Sequence, residues 1–157
     1  MLFRSDGYTL MMINDNHALN PSVFKNIPYD SLNDFAPIGF VGSTPLVLAV
    51  HPSVPAKDVK SLVAIAKEKP GSITYASVGV GSASHLAGAM FGDVAKVELQ
   101  HVPYRGGAPA LIDLLAGHVN TYFLSPVISL ENIKTAKLKA LALAADKRIE
   151  RSEEHTS

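Results

Sequence analysis

The sequence predicts an α/β fold built on a parallel, doubly wound sheet, and three observations carry that expectation. From Leu46 onward, β-prone runs and helical stripes follow one another in the order β-α-β-α-β-α-β-α-β, the signature of βαβ units. Three of the strand-to-helix joins, Ser77–Ser84, Arg105–Ala108 and Leu124–Pro126, are made largely of small residues and open a helix. In open α/β sheets ligands sit at such carboxyl ends of strands. Finally, 157 residues with 47% hydrophobic and 18% charged content suit a chain with a proper buried core.

The elements follow in order. Gly7–Ile13 reads as a buried strand, and Asn14-Asp15-Asn16-His17 as a polar loop. Asn20-Pro21-Ser22-Val23-Phe24 reads as a short helical turn, with Asn20 as cap and Pro21 in first position. Pro28–Asp34 is irregular. Phe35–Gly42 and Leu46–Val50 are apolar and β-prone, separated by Ser43-Thr44-Pro45. A helix is predicted over Pro55–Glu68, capped by Ser53, with Val59, Leu62, Val63 and Ala66 at helical spacing and Lys69-Pro70-Gly71 as its stop. Strand Ile73–Ala76, helix Ala83–Phe91, strand Val97–Val102 and helix Ala108–Ala116 come next, the last ending at Gly117. Strand Val119–Phe123, a helix opened by Ser125-Pro126 and reaching Ala136, and strand Leu138–Ala144 complete the series.

Composition excludes several functions. Lys+Arg and Asp+Glu both number 14 and are scattered, so nothing favours a phosphate backbone or an acidic membrane. The absence of cysteine removes disulfides, thiol catalysis and cysteine zinc sites. No run approaches the roughly 18 apolar residues of a membrane span.

Both ends look foreign. Met1–Ser5 and Arg151–Ser157 can be encoded by strings that share a sequence resembling a short-read sequencing adapter. The expectation is that residues 1–5 and 151–157 are translated adapter and that Asp6–Glu150 is an internal fragment, for which a missing signal peptide says nothing about location.

The stretch Ser77-Val78-Gly79-Val80-Gly81-Ser82-Ala83-Ser84-His85 has two readings. In one, amides near Ser82–Ser84 and two hydroxyls hold a carboxylate at a helix N-terminus. In the other, glycines ease a tight turn and Ser82 caps the helix. A P-loop is excluded because no Gly-Lys-Ser/Thr follows, and the dinucleotide fingerprint fails at Ser84. A nucleophile elbow does not fit either. His85 in a first helical turn opposes the dipole as a cation, so a neutral, structurally bonded imidazole is expected. His17, His51, His101 and His118 lack ligand spacing and are read as structural or surface residues, with no metal site. In Tyr104-Arg105-Gly106-Gly107 the amides of Gly107 and Ala108 are better anion donors than the mobile Arg105. Ser125 can cap a helix and touch ligand. No paired carboxylates, Ser-His-Asp set or metal cluster is visible, so no catalytic constellation is predicted.

A family pattern runs through these residues. Phe35-Ala36-Pro37-Ile38, Pro52-Ser53-Val54-Pro55-Ala56-Lys57, Lys69-Pro70-Gly71, Tyr75-Ala76-Ser77, Gly81-Ser82-Ala83-Ser84-His85-Leu86-Ala87-Gly88, His101-Val102-Pro103-Tyr104-Arg105-Gly106 and Ile133-Lys134 through Lys137-Leu138 occur in this order. The chain resembles the tripartite tricarboxylate transporter substrate-binding proteins, also called the Bug family, over nearly all of Asp6–Glu150.

The resemblance implies a periplasmic binding protein of the two-domain, Venus-flytrap type, about twice this length, here mostly the second doubly wound domain plus part of the first. Residues 6–40 would be the tail of domain 1, 41–145 the ligand-binding domain 2, and 146–150 the start of the return to domain 1. The implied function is capture of a small organic acid for a tripartite tricarboxylate-type secondary transporter, with micromolar affinity in the complete protein. The implied ligand contacts are Asn16 in the Asn14–His17 loop, Gly81, Ser82, Ala83 and Ser84, Gly107 and Ala108, and Ser125. The family often carries an acidic residue where Leu124 stands, so a plain carboxylate ligand is expected here. Expected partners are the organic acid and, transiently, membrane transporter subunits. No cofactor, nucleic acid or membrane insertion is expected, and the protein is expected to be a monomer and not an enzyme. Two alternatives remain: a ligand-sensing binding protein for a signalling partner, and a small α/β serine hydrolase using Ser82 or Ser84.

Overall fold

The computed structural model describes residues 7–145. The expected adapter scars at 1–5 and 151–157, and the return at 146–150, lie outside the described residues.

Five strands, β1 (Leu46–Val50), β2 (Ile73–Ser77), β3 (Leu99–Pro103), β4 (Thr121–Leu124) and β5 (Lys139–Ala144), form one sheet in the order β3-β2-β4-β1-β5. The helices are α1 (Asn16–Val23), α2 (Val59–Glu68), α3 (Ala83–Ala95), α4 (Gly107–Leu115) and α5 (Pro126–Lys134). β2 pairs in parallel with β3 and β4, matching Tyr75 to His101 on one side and to Thr121 on the other. The parallel expectation fails at β1, which runs antiparallel to both β4 and β5, with a register shift between Leu48 and Ala49. An apolar run reports which residues face the core, not which way the strand points. Moreover, β4 lies between β1 and β2, so no direct βαβ crossover joins adjacent strands there.

Two apolar layers cover the sheet. On one face Leu48, Val50, Ile73 and Phe123 pack with Leu62 and Ala66 of α2, and with Ala87 and Phe91 of α3. On the other, Ala49, Ala76, Tyr122 and Leu124 pack with Ala110 and Leu114 of α4 and with Ile133 of α5. All four residues of β4 are buried, as befits a central strand covered on both faces.

The helix ends show where local chemistry outweighs simple pattern. α2 begins at Val59 rather than Pro55, because Asp58, not Ser53, caps it. The Asp58 carboxylate accepts from the Ser61 amide at 2.7 Å, and the Ser61 hydroxyl accepts from the Asp58 amide at 3.0 Å, a reciprocal capping box. The Ser61 amide, and then the Ser61 hydroxyl donating to the same carboxylate at 2.7 Å, hold the Asp58 carboxyl below its ordinary value. Ser53 instead pairs with His51 Nδ1 at 2.7 Å. α1 starts at Asn16, so Pro21 lies inside it and Asn20 is not its cap. The Asn20 amide group donates to the Tyr29 hydroxyl at 2.6 Å, which holds it away from any capping role.

Two expected strands are absent. Gly7–Ile13 and Phe35–Gly42 form no ladder among the described residues. A strand needs a ladder partner, and neither run joins the sheet among the described residues. Leu10, Met12, Ile38, Phe40 and Val41 are accordingly exposed, each by more than 70%. The segment between them is held by a ring cluster in which His17 stacks on Tyr29 and meets Phe35 edge-on.

Candidate functional site

β2, β3 and β4 are parallel neighbours, so their carboxyl ends share one edge of the sheet. Each leads into a helix: β2 into α3, β3 into α4, β4 into α5. Three helix N-termini therefore open on the same edge, and their dipoles, with the unpaired amides of α3 and α4, favour an anion there. The loops touch. The Tyr104 amide donates to the Ser77 carbonyl at 2.9 Å. A Cβ built on Gly107 would lie 3.9 Å from Ile128 Cδ1 of α5.

The first loop is held from within. Ser82 caps α3, its hydroxyl accepting from the His85 amide at 3.3 Å and donating to the Gly79 carbonyl at 2.7 Å. The Ser84 hydroxyl accepts from the Val78 amide at 3.2 Å and lies 3.1 Å from that of Ser82. Both serines are buried. Their hydroxyls shape the loop, and the donors left over are the amides of Ala83 and Ser84, which have no partner among the described residues. His85 Nδ1 accepts from the Gly81 amide at 3.2 Å, which assigns the ring proton to Nε2.

Beneath the loop lies a partly buried polar stack that the sequence reading did not single out. Ser77 Oγ is 2.6 Å from Nε2 of His101 and accepts from the Gly79 amide at 3.1 Å. His101 packs between Tyr75, at 4.9 Å between ring centres, and His85, at 4.3 Å. Burial, and then the neighbouring His85, push the His101 imidazole below its ordinary value. The strand register that sets Tyr75 opposite His101 and Ser77 opposite Pro103 assembles this stack. That register is the only signal that could have found it, and it is not visible in the sequence alone.

The second loop differs. Gly106, at φ +150°, precedes α4 without a side-chain cap. Gly107 and Ala108 supply free amides, and Pro109 has none to give. Tyr104 points away, its hydroxyl donating to Asp113 at 2.8 Å. Burial and that carboxylate push its phenol up to about 12. Arg105 is exposed and makes no hydrogen bond or ion pair among the described residues.

At the third loop Ser125 caps α5, accepting from the Val127 amide at 3.4 Å. Leu124 beside it is buried. Asn16 stands apart. It borders a separate cleft of about 680 Å³ with Asn14, His17, Tyr29 and Phe35. The far end of its helix does reach the site: a Cβ on Gly81 would lie 3.0 Å from Val23 Cγ1, about 10 Å along α1 from Asn16. The structure thus brings together the Gly81–Ser84, Gly107–Ala108 and Ser125 groups at one sheet edge, and sets Asn16 beside them on a different surface. No cluster of three or more His, Asp or Glu suited to a metal occurs among the described residues.

A family profile described as tripartite tricarboxylate transporter family receptor matches residues 3–154. Curated relatives include a UPF0065 protein from the tcbD-tcbE intergenic region of Pseudomonas sp. (strain P51), 36% identical over 90% of this chain and 42% of the relative. Protein BugT of Bordetella pertussis is 34% identical over 92% of this chain and 45% of its own. Among solved structures, the periplasmic binding protein BugD superposes with TM-score 0.80 at 33% identity, covering 85% of this chain and 45% of BugD. Rpa4515 of R. palustris with adipate gives TM-score 0.80 at 31% identity, with 85% and 45% covered. MatC of Rhodopseudomonas palustris with bound malate gives 0.77 at 26%, with 84% and 45% covered. The chain spans less than half the length of each of these proteins.

Proposed function

Because the chain belongs to the tripartite tricarboxylate transporter receptor family, we propose that it is the ligand-gripping part of a periplasmic binding protein that captures a small dicarboxylic or related organic acid. The observation that carries this reading is the convergence of three helix N-termini on one sheet edge, two of them with unpaired amides, Ala83 and Ser84 at α3 and Gly107 and Ala108 at α4. A carboxylate there accepts several charge-assisted bonds, each contributing roughly 1.5–3 kcal/mol. Three or four such contacts approach the roughly 8 kcal/mol of micromolar binding, before the cost of closure. Adipate in Rpa4515 and malate in MatC support that chemical class.

In this reading residues 41–145 form the ligand-binding domain and 6–40 belong to a second body whose remainder covers Leu10, Met12 and Phe40. The captured acid is handed to membrane transporter subunits. Among the described residues no helix is long and apolar enough to cross a membrane. A hydrolase reading finds little support. Ser82 and Ser84 spend their hydroxyls inside the loop, and Ser77, the serine at this edge whose hydroxyl meets a histidine ring, is fully buried.

Isothermal calorimetry on the intact protein carrying this chain, with a panel of dicarboxylates and tricarboxylates including adipate and malate, tests the proposal. Micromolar binding of at least one acid is expected, and no heat with any of them overturns it.

A further inference from the structure

We propose that the hydroxyl of Tyr122 is a ligand-contacting donor which, with the amides of Gly107 and Ala108, forms a three-donor cradle for one carboxylate of the bound acid. This rests on the carboxylate-binding reading and names the part of the site that does the gripping.

The ring of Tyr122 is 2% exposed and packs against Ala110, Leu114 and Leu124. Its hydroxyl reaches the start of α4, where a Cβ built on Gly107 would lie 3.7 Å from it. Buried phenols ordinarily find a hydrogen-bond partner. Those of Tyr29 and Tyr104 do so, with Asn20 and Asp113. The Tyr122 hydroxyl has none among the described residues, and its oxygen, unlike the ring beneath it, is not sealed from solvent. Tyr75, buried and equally unpartnered, instead borders an open groove with Gly92, Asp93 and Lys96, at the C-terminal end of α3.

The start of α4 beside it supplies donors. α4 has nine residues and no side-chain cap, so the Gly107 and Ala108 amides point outward unpaired. Pro109 contributes no competing N–H. At α3, by contrast, Ser82 already satisfies the His85 amide. Three unpaired donors beside a glycine that leaves the space open call for a group with several lone pairs and negative charge, which a carboxylate supplies. Burial pushes the Tyr122 phenol above its ordinary value, so it remains a protonated donor throughout the neutral range.

The test is calorimetry and thermal melting of the intact wild-type protein, Tyr122→Phe and Gly107→Ala, with adipate, malate and the rest of the acid panel. Tyr122→Phe should bind the preferred acid about 10- to 100-fold more weakly, with the ligand-free Tm unchanged and the ligand-induced rise in Tm reduced. Gly107→Ala, which places a methyl group in the space beside the hydroxyl, should weaken binding comparably. Wild-type affinity in Tyr122→Phe overturns the proposal while leaving the carboxylate reading intact, as does a liganded crystal structure with only water on the hydroxyl. Failure of the wild-type protein to bind any acid overturns both.

Discussion

Ser77 Oγ lies 2.6 Å from Nε2 of His101, and through this contact the end of β2 fixes the loop that opens α3. The geometry admits two arrangements. The serine donates to a bare Nε2, or it accepts from Nε2–H and turns its own hydrogen to the Gly79 carbonyl at 3.2 Å. In both, the same oxygen accepts from the Gly79 amide. Ser77→Ala removes all of this from a fully buried site. The unpaired Gly79 amide and imidazole should cost about 1–3 kcal/mol of folding stability, read by urea denaturation of the intact protein. Affinity for the bound acid should fall with it, because the Ala83 and Ser84 amides lose their support.

The same stack makes stability depend on pH. His101 has its folded-state value pushed below the ordinary histidine value by burial first and His85 second. The unfolded chain therefore binds a proton at a higher pH than the folded one does. By linkage, this contribution to stability is complete above about pH 6.5 and is lost as pH falls through that value toward the lower folded one. Tm measured from pH 7.5 to 5 should decline, and His101→Gln should flatten part of the decline.

Much of the domain was legible because it is local. Every helix from α2 to α5 and every strand from β1 to β5 follows from apolar spacing and from punctuation such as Lys69-Pro70-Gly71 and Ser125-Pro126. What escaped is non-local. The direction of β1 depends on which strands it meets, and the Gly7–Ile13 and Phe35–Gly42 runs need ladder partners that their own residues cannot supply. At the site, small loops before helices announced the amides of Ala83, Ser84, Gly107 and Ala108. Nothing in the sequence announced that the Ser82 and Ser84 hydroxyls would be consumed by Gly79 and Val78, or that Tyr122 would end beneath Gly107.

Gly88 shows the core imposing a residue through shape. A Cβ at this position would overlap two ring carbons of Tyr75. One face of that ring stacks on His101, which resists its displacement. Gly88→Ala should cost about 1–3 kcal/mol by overpacking, despite the higher helix propensity of alanine. Denaturation midpoints will show it. A variant pairing Gly88→Ala with Tyr75→Leu should recover part of the loss, because the smaller side chain vacates the space the methyl group needs.

Gly81 and Gly106 separate backbone strain from packing. Both have positive φ, +80° and +150° respectively, conformations that cost a residue with a Cβ about 1–3 kcal/mol. At Gly106 a new Cβ would meet nothing within 4 Å. Strain is then the whole penalty, and the chain can relieve it by turning the start of α4. At Gly81 the Cβ would press on Val23 of α1 at 3.0 Å, so relief of the strain is blocked by a helix on the other side. Gly81→Ala should therefore lower Tm more than Gly106→Ala. Gly106→Ala should be the more damaging of the two to acid binding, because relaxation there rotates the Gly107 and Ala108 amides away from the ligand. Tm and calorimetric affinity measured side by side on the two variants of the intact protein should show the opposite ranking in the two quantities, and the same ranking in both would mean that α4 does not hold the acid.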